Sequence, residues 1–331
     1  MRGKRQDNRP YRRLLSSFGA ICLLVVALWS AGCRAGDGST EAATADTTVT
    51  DALGRTVVLP QPVRRVVSMA PNLTEIIVAA GAAHRLVGVT TADDFPPTVV
   101  DALPAIQALP PNYEAIVQQR PEAVWATDQV NTPRMAETLQ GLGVPVYFFS
   151  FGSVDDVWAA IRTTGALLGT PAPAGAAADS LAARMDTLRQ RMADVAQRPR
   201  VLVLIGDETL YAFGGSSYVH TLVAAAGGQS ITRTLDAAAP TLSEAYVLKQ
   251  QPDVIIGAWG RSYDPNRLLK LHPTWDVVPA IRNNRVYSVP ADWLLRPGPR
   301  LVRGAYAIAR ALHPQQMPAI ASTASEEGRG Q

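Results

Sequence analysis

Few residues in this chain have the type and spacing to do chemistry. There are four histidines and two cysteines in 331 residues. The stretch "GGSSYVH", residues 214–220, sets Ser216 and Ser217 close to His220. A hydrolase would need its serine on a strand-to-helix elbow with an oriented acid, and no Gly-X-Ser-X-Gly occurs. Asp93 and Asp94 are adjacent carboxylates on a loop, which fits a solvated turn better than an acid–base pair. A bare Zn or Mn site needs about three imidazoles and a carboxylate converging. His84 follows a helix stop at Gly81 and precedes a strand, and His272 and His313 sit beside prolines in turn and end positions. Only His220 is placed to approach a strand edge. These residues point away from an enzyme and towards binding.

The elements that position them begin with "RVVSMAPNLTEIIVAAGAAHRLVGVT", residues 65–90. A short apolar run stops at Ala70-Pro71-Asn72, a helix follows, and a second apolar run, Leu86 to Val89, comes after it. This is a strand, crossover helix and strand, the unit of parallel sheets, whose ligands gather at the carboxyl ends of the strands. The glycine-rich loop that would cradle a phosphate there is missing. Asn72 with Glu75 three residues on reads as a capping box, so the helix is expected to start near Leu73 and to stop at Gly81. Before this unit, "DALGRTVVLP" reads as an edge hairpin turning at Gly54. After it come "EAIVQQRPEAVWATD" and "MAETLQGLGVPVYFFSF", each a helix followed by an apolar run without alternation, as strands buried on both faces require. The second half repeats the plan, and "SEAYVLKQQPDVIIGAW" echoes "YEAIVQQRPEAVWAT". The reading is an α/β body of two similar lobes. "SVDDVWAAIRTTGALLG" is one helix between them, and Ala176 to Gln197 a longer one of about 33 Å. Leu181, Met185, Leu188, Met192 and Val195 give the longer helix one apolar stripe. Such a strut implies a stiff clamp.

The ends differ from the body. Arg2, Lys4, Arg5, Arg9, Arg12 and Arg13 precede an uncharged stretch from Leu14 to Trp29, and "SAGC" follows, ending at Cys33. Basic head, apolar middle and small-residue exit describe an export signal, shorter than the usual membrane span. A cysteine at the cleavage point is where bacterial lipoproteins are acylated, and "SAGC" resembles that signal, with Ser30 where leucine is commoner. The segment before Cys33 holds six basic residues and one acid. Removing them from the chain's 31 and 28 leaves 25 against 27, so the pI near 9.0 is no argument for nucleic-acid binding. Cys22 lies in the signal, which leaves the mature body no disulfide and no thiolate metal site. The expected divisions are a signal peptide (1–32), a flexible tether (33–47), an N-terminal lobe (48–152), connecting helices (153–197), a C-terminal lobe (198–315) and a polar, disordered tail (316–331).

Taken together, "RVVSMAPNLTEIIVAAGAAHRLVGVTTADDFPP", the paired Pro-Glu and Pro-Asp strands, "YAFGGSSYVHTLVAAAGG" and "HPTWDVVPAIRNNRVYSVPADWLLRPGPR" resemble the periplasmic iron-complex and cobalamin binding proteins of ABC importers. The resemblance covers about residues 48 to 314, and "VGVTTADDFPP" with "NYEAIV" is most similar to the cobalamin-binding branch. It implies two Rossmann-like lobes joined by one long helix, with the strand ends of both lobes facing each other across a ligand cleft. It also implies delivery of a large metal chelate, a cobalamin or other corrinoid, to a permease and its ATPase. No catalytic residue, resident cofactor or nucleic-acid partner is expected, and a monomer is. Ferric siderophore or haem is the alternative cargo, and a secreted hydrolase or a sensory domain the rival class. Residues on the expected edges are Thr91 to Phe95 and Thr127 to Gln129 in the first lobe. In the second they are Tyr211, Trp259 to Tyr263 and Asp292 to Arg296. From these, Asp94, Phe95, Tyr211, Trp259, Tyr263, Trp293 and Arg296 are the candidate ligand contacts. Trp259 and Trp293 could equally cap the core, Phe95 could pack its diproline loop, and Arg296 could pair with Asp292. His220 could serve as an axial ligand to haem iron or corrinoid cobalt, or pack in the core. Ala108 and Thr127 stand where first-lobe aromatics would help. Importers of this kind seat the binding protein through one acid on each lobe. Glu114, seven residues before Pro121, matches the first position; Ala245 occupies the second, and Glu244 lies one residue earlier.

Overall fold

The computed structural model describes residues 45–260 and 263–317. The expected signal, Cys33, most of the tether and the tail beyond residue 317 lie outside the described residues. The described residues belong to one compact unit. Strands β1 (Ala45–Thr50) and β2 (Thr56–Gln61) make the expected antiparallel hairpin, with Thr50 opposite Thr56. Gly54 takes φ +75° in its turn.

Two parallel sheets carry the rest. The first holds β3 (Val66–Ser68), β4 (Leu86–Thr90), β5 (Ala105–Ile106), β6 (Ala123–Thr127) and β7 (Val146–Phe149) in the order β5-β4-β3-β6-β7. The second holds β8 (Arg200–Leu204), β9 (Gln229–Ser230), β10 (Val254–Gly257) and β11 (Val286–Ser288) in the order β11-β10-β8-β9. Each sheet is wound outward from its first strand and then returns to the other side of it. The duplicated plan is thus visible in topology, and each sheet has a switch point beside its first strand, where open α/β sheets place their ligand crevice. All five residues of β6 are buried, which is why that run shows no alternation.

The helices correct the sequence reading at two places. Helix α1 runs Pro71–Ala79, not from Leu73, and its N-cap, Ala70, makes no side-chain capping bond. Pro71 fits the first turn because its missing N–H would have had no helical partner. The expected capping box does not form: Asn72 and Glu75 turn their side chains to the second lobe. Next along the chain are α2 (Pro97–Val100), α3 (Tyr113–Gln118), α4 (Pro133–Gly141) and α5 (Val154–Leu168). Helix α5 starts on a true capping box, Ser153 with Asp156. The long helix α6 spans Pro171–Arg191 instead of Ala176–Gln197. Prolines 171 and 173 sit in its first turn, where no intrahelical N–H is needed, so "TPAPAG" starts the helix that it was expected to precede.

Of the expected stripe, Met185 and Leu188 are buried on α6 and Leu181 is half-buried, while Met192, buried, and Val195, half-buried, lie past the end of the helix. Ala174 and Ala178 extend the buried face towards its start. Gly165 lets α5 and α6 touch, since a Cβ there would lie 2.1 Å from the Ala174 Cβ. The remaining helices are α7 (Val219–Ala225), α8 (Glu244–Gln250), α9 (Asn266–Leu271), α10 (Pro279–Arg282), α11 (Asp292–Leu295) and α12 (Leu301–Leu312). One apolar cluster runs from Val66 and Leu73 in the first lobe through Met185 and Leu188 to Val203, Ile256 and Ile308 in the second. The lobes therefore share a core through the strut. Among the described residues, no helix is long and apolar enough to cross a membrane.

Candidate functional site

The loops after β3 and β4 meet those after β11, so carboxyl strand ends of the two sheets face one another. After β4 the chain turns at Thr90, whose N–H and hydroxyl both donate to Asp93 Oδ2, at 2.8 and 2.6 Å. Asp93 is thereby folded inward, and burial holds its carboxyl above the usual range. Its neighbour Asp94 is left outside, where Arg296 reaches it from the second lobe through Nη1, with Nη2 donating at 3.3 Å to Oδ2. Arg296 Nη2 also donates to the Ala92 carbonyl at 3.3 Å, and Nε lies 3.2 Å from Asp292 Oδ1. Burial opposes the Arg296 charge, but the Asp94 bond and the Asp292 charge outweigh it and raise its pKa.

A second crossing lies deeper. Arg300 donates from Nε and Nη2 to the two oxygens of Glu75, at 2.9 and 2.7 Å, a fork-to-fork pair. Glu75 is 2% and Arg300 11% exposed in their side chains. Burial pushes the Glu75 carboxyl up even though the Arg300 bond and charge pull it down. Asn72 Nδ2 donates to the Pro297 carbonyl at 3.3 Å, and the Arg300 guanidinium stands 4.5 Å over the Phe95 ring. Phe95 thus presents one face to a cation, and "RPGPR" supplies both arginines of the crossing.

The second-lobe aromatics divide. The Trp259 ring covers Gly257, where a Cβ would lie 2.0 Å from it, and meets the Tyr263 ring at 4.0 Å and 31°. Trp259 Nε1 is buried without a hydrogen-bond partner, and burial together with the Asp207 carboxylate pushes the Tyr263 phenol up. Tyr211, 46% exposed, projects from the loop after β8. Trp293 is placed elsewhere. Asp292 and Arg296 share a face four residues apart, so Trp293 points about 100° from them and lines a separate hollow with Tyr287 and Arg310. Thr127 is fully buried and its backbone N–H is held by Asn131 Oδ1 at 3.0 Å, so it offers no wall to a ligand.

His220 is turned away from chemistry. Its Nε2 contacts the Gly214 carbonyl, and its Nδ1 is buried without a partner, so neither nitrogen is open to a metal chelate. Burial holds its pKa low. Ser217 Oγ accepts from Val219 N at 3.2 Å, and no hydrogen bond between serine and histidine side chains forms among the described residues. Among the described residues, no three His, Cys, Asp or Glu side chains gather as metal ligands.

A periplasmic binding protein family model matches residues 66–293. The chain belongs to that family. A protein of Vibrio parahaemolyticus named vitamin B12-binding protein is 26% identical over 241 residues, 72% of this chain and 86% of the relative. The crystal structure of a periplasmic vitamin B12 binding protein of Vibrio cholerae is 26% identical with a TM-score of 0.66, covering 76% of this chain and 97% of that one. A periplasmic heme-binding protein from Roseiflexus sp. RS-1 is 26% identical with a TM-score of 0.67, covering 77% and 99%. These relatives are named as binding proteins, not as enzymes.

In this periplasmic binding protein the two acids singled out by spacing begin corresponding helices. Glu114 is exposed in the first turn of α3, behind the Asn112 cap, and its carboxylate makes no hydrogen bond or ion pair with another described residue. Glu244 opens α8 behind the Ser243 cap, one position nearer the cap than Glu114. Its carboxylate takes hydrogen bonds from His272 Nδ1 at 3.0 Å and Thr274 Oγ1 at 2.8 Å, and the His272 bond lowers its pKa. His272 Nε2 lies 2.7 Å from the Asp207 carbonyl, and its ring stacks on Trp275 at 4.6 Å. Sequence reasoning missed this tether and the Glu75–Arg300 pair, because partners 28 and 225 residues apart leave no spacing signal.

Breaking the buried pair separates it from ordinary surface pairs. Glu75→Ala leaves Arg300 with only Asp292 at 3.5 Å. Urea unfolding is expected to show a loss of about 3 kcal/mol, against less than about 0.5 kcal/mol for Asp186→Ala in the exposed Arg189–Asp186 pair. Equal effects would show that the crossing carries no special load.

Proposed function

We propose that the protein is the substrate-binding component of an ABC importer and captures a large metal chelate of the corrinoid class. The observation that carries this reading is the meeting of strand ends at Asp94–Arg296 and Glu75–Arg300, in a family whose relatives include proteins named for vitamin B12. A flat macrocycle is stacked by the Trp259–Tyr263 pair, and an acidic side arm or phosphate exchanges with Asp94 on Arg296. Haem is the second reading. It is favoured by the first lobe, where Ala108 and Thr127 leave Phe95 as the aromatic wall, and by the similarity to a heme-binding protein. The His220 geometry weighs against an axial histidine in either case.

Titrating the purified mature protein with cyanocobalamin, cobinamide, haem and ferric siderophores tests the cargo through tryptophan fluorescence. Saturable binding of a corrinoid is expected, weakened about fivefold by Trp259→Ala, the equivalent of about 1 kcal/mol of ring stacking. Binding of haem alone favours the second reading; a Trp259→Ala protein that binds as tightly as the parent removes that ring from the site.

Export and a lipid anchor complete the proposal, from the basic, apolar, small-residue and Cys33 order at the amino terminus. Mass spectrometry of the mature protein is expected to find an acylated Cys33; an unmodified terminus at another residue sinks the anchor. Docking on the permease is assigned to Glu114 and Glu244, at matching ends of the two lobes. Glu114→Lys is expected to leave chelate affinity unchanged and abolish uptake in whole cells, while a parallel fall in both would move Glu114 into the ligand site.

A further inference from the structure

Beyond the crossing between the lobes, the second lobe has a hollow of about 470 Å³ between the free edge of β11 and helix α12. Its walls are Tyr287, Pro290 and Trp293 on one side and Ala307, Arg310 and Ala311 on the other. The last three recur three and four residues apart, so they form one face of α12. The crossing of α12 with α11 fixes the position of the Trp293 backbone, because a Cβ on Gly304 would lie 2.3 Å from the Trp293 carbonyl. None of the polar residues that cross between the lobes, Asn72, Glu75, Asp94, Arg296 and Arg300, lines this space, and its volume falls within the range of small-ligand sites.

The polar groups around the hollow all point to one kind of occupant. Among the described residues, Arg310 makes no ion pair or hydrogen bond, and neither the Tyr287 hydroxyl nor the Trp293 indole N–H has a partner. A guanidinium and an indole only donate, and no carboxylate lines the walls. The negative end of the α12 dipole is already answered, since Arg285 Nη2 donates to the Ala311 and Leu312 carbonyls at 3.4 and 3.0 Å. An acceptor-rich group brought to Arg310 therefore meets donors without a competing acid. The remaining wall is apolar and partly aromatic, suited to a flat body.

We propose that this hollow is a second ligand site, separate from the chelate cleft, for a small organic anion with a flat apolar body, its acid on Arg310 and its ring against Trp293. The site does not depend on what the cleft binds. 1-Anilinonaphthalene-8-sulfonate is a suitable probe, and N-phenyl-1-naphthylamine offers the same body without the sulfonate. The mature protein is expected to bind the sulfonate at one saturable site, about tenfold more tightly than the neutral analogue, and Arg310→Gln to remove that difference. Ala307→Trp, which fills the hollow, is expected to abolish binding, and Trp293→Phe to reduce energy transfer to the probe more than Trp259→Phe does. Circular dichroism checks that each variant is folded. Equal affinity for the two probes, or sulfonate binding unchanged by Arg310→Gln, overturns the proposal. So does binding that survives in Ala307→Trp but is lost in Trp259→Ala, which would place the probe near the cleft.

Discussion

The architecture rests on one buried ion pair. Glu75 lies in the second turn of α1 and Arg300 caps the start of α12, at the carboxyl edges of different sheets, and their two-pronged contact fixes the distance between those edges. A buried charge without its partner is costly, so the lobes cannot separate here without exposing or orphaning one of the two. Around this contact the other crossings become possible: Arg296 finds Asp94, Asn72 finds the Pro297 carbonyl, and Phe95 lies beneath Arg300. The crossing also separates the roles of two aspartates that sequence treats alike. Asp93 is pulled into its own loop by Thr90, while Asp94, one residue on, is freed to face the other lobe.

The strut and the crossing are complementary constraints. Helix α6 shares its buried stripe with a core that continues into both lobes, so the rear of the clamp is held by apolar packing. The front is held by charge. Apolar packing is insensitive to salt, whereas the exposed part of the front contact, at Asp94, is screened by it. Opening of the cleft thus draws on the weaker and more condition-dependent of the two.

Much of the fold was legible because its strands are buried on both faces and helices α1, α5 and α7 stop at Gly81, Gly169 and Gly227. Runs such as Ala123 to Thr127 and Val254 to Gly257 show themselves as unbroken apolar stretches, and the repeat of helix, Gln-X-Pro and strand announces the second lobe. Helix starts were less legible. Asn72 and Glu75 have the types and spacing of a capping box, but tertiary partners claim both side chains, and prolines 171 and 173 begin a helix whose pattern suggests a start at Ala176. Positions just past strand ends pick out loops that meet between the lobes, at Asp94 and Arg296, but not the facing of each ring. Trp293 shows why: one step along a helix from Asp292 rotates a side chain about 100°, enough to move it from one surface to another.

The tether on Glu244 has a further consequence. Two lobes built on one plan give the molecule an approximate twofold axis, and a partner gripping both ends could in principle seat it either way round. The ends are not equivalent. Glu114 offers a bare carboxylate, while Glu244 already shares its oxygens with an imidazole and a hydroxyl, one position closer to its helix cap. The pseudosymmetric body therefore has a head and a tail in its electrostatics, and a surface that reads charge can tell left from right.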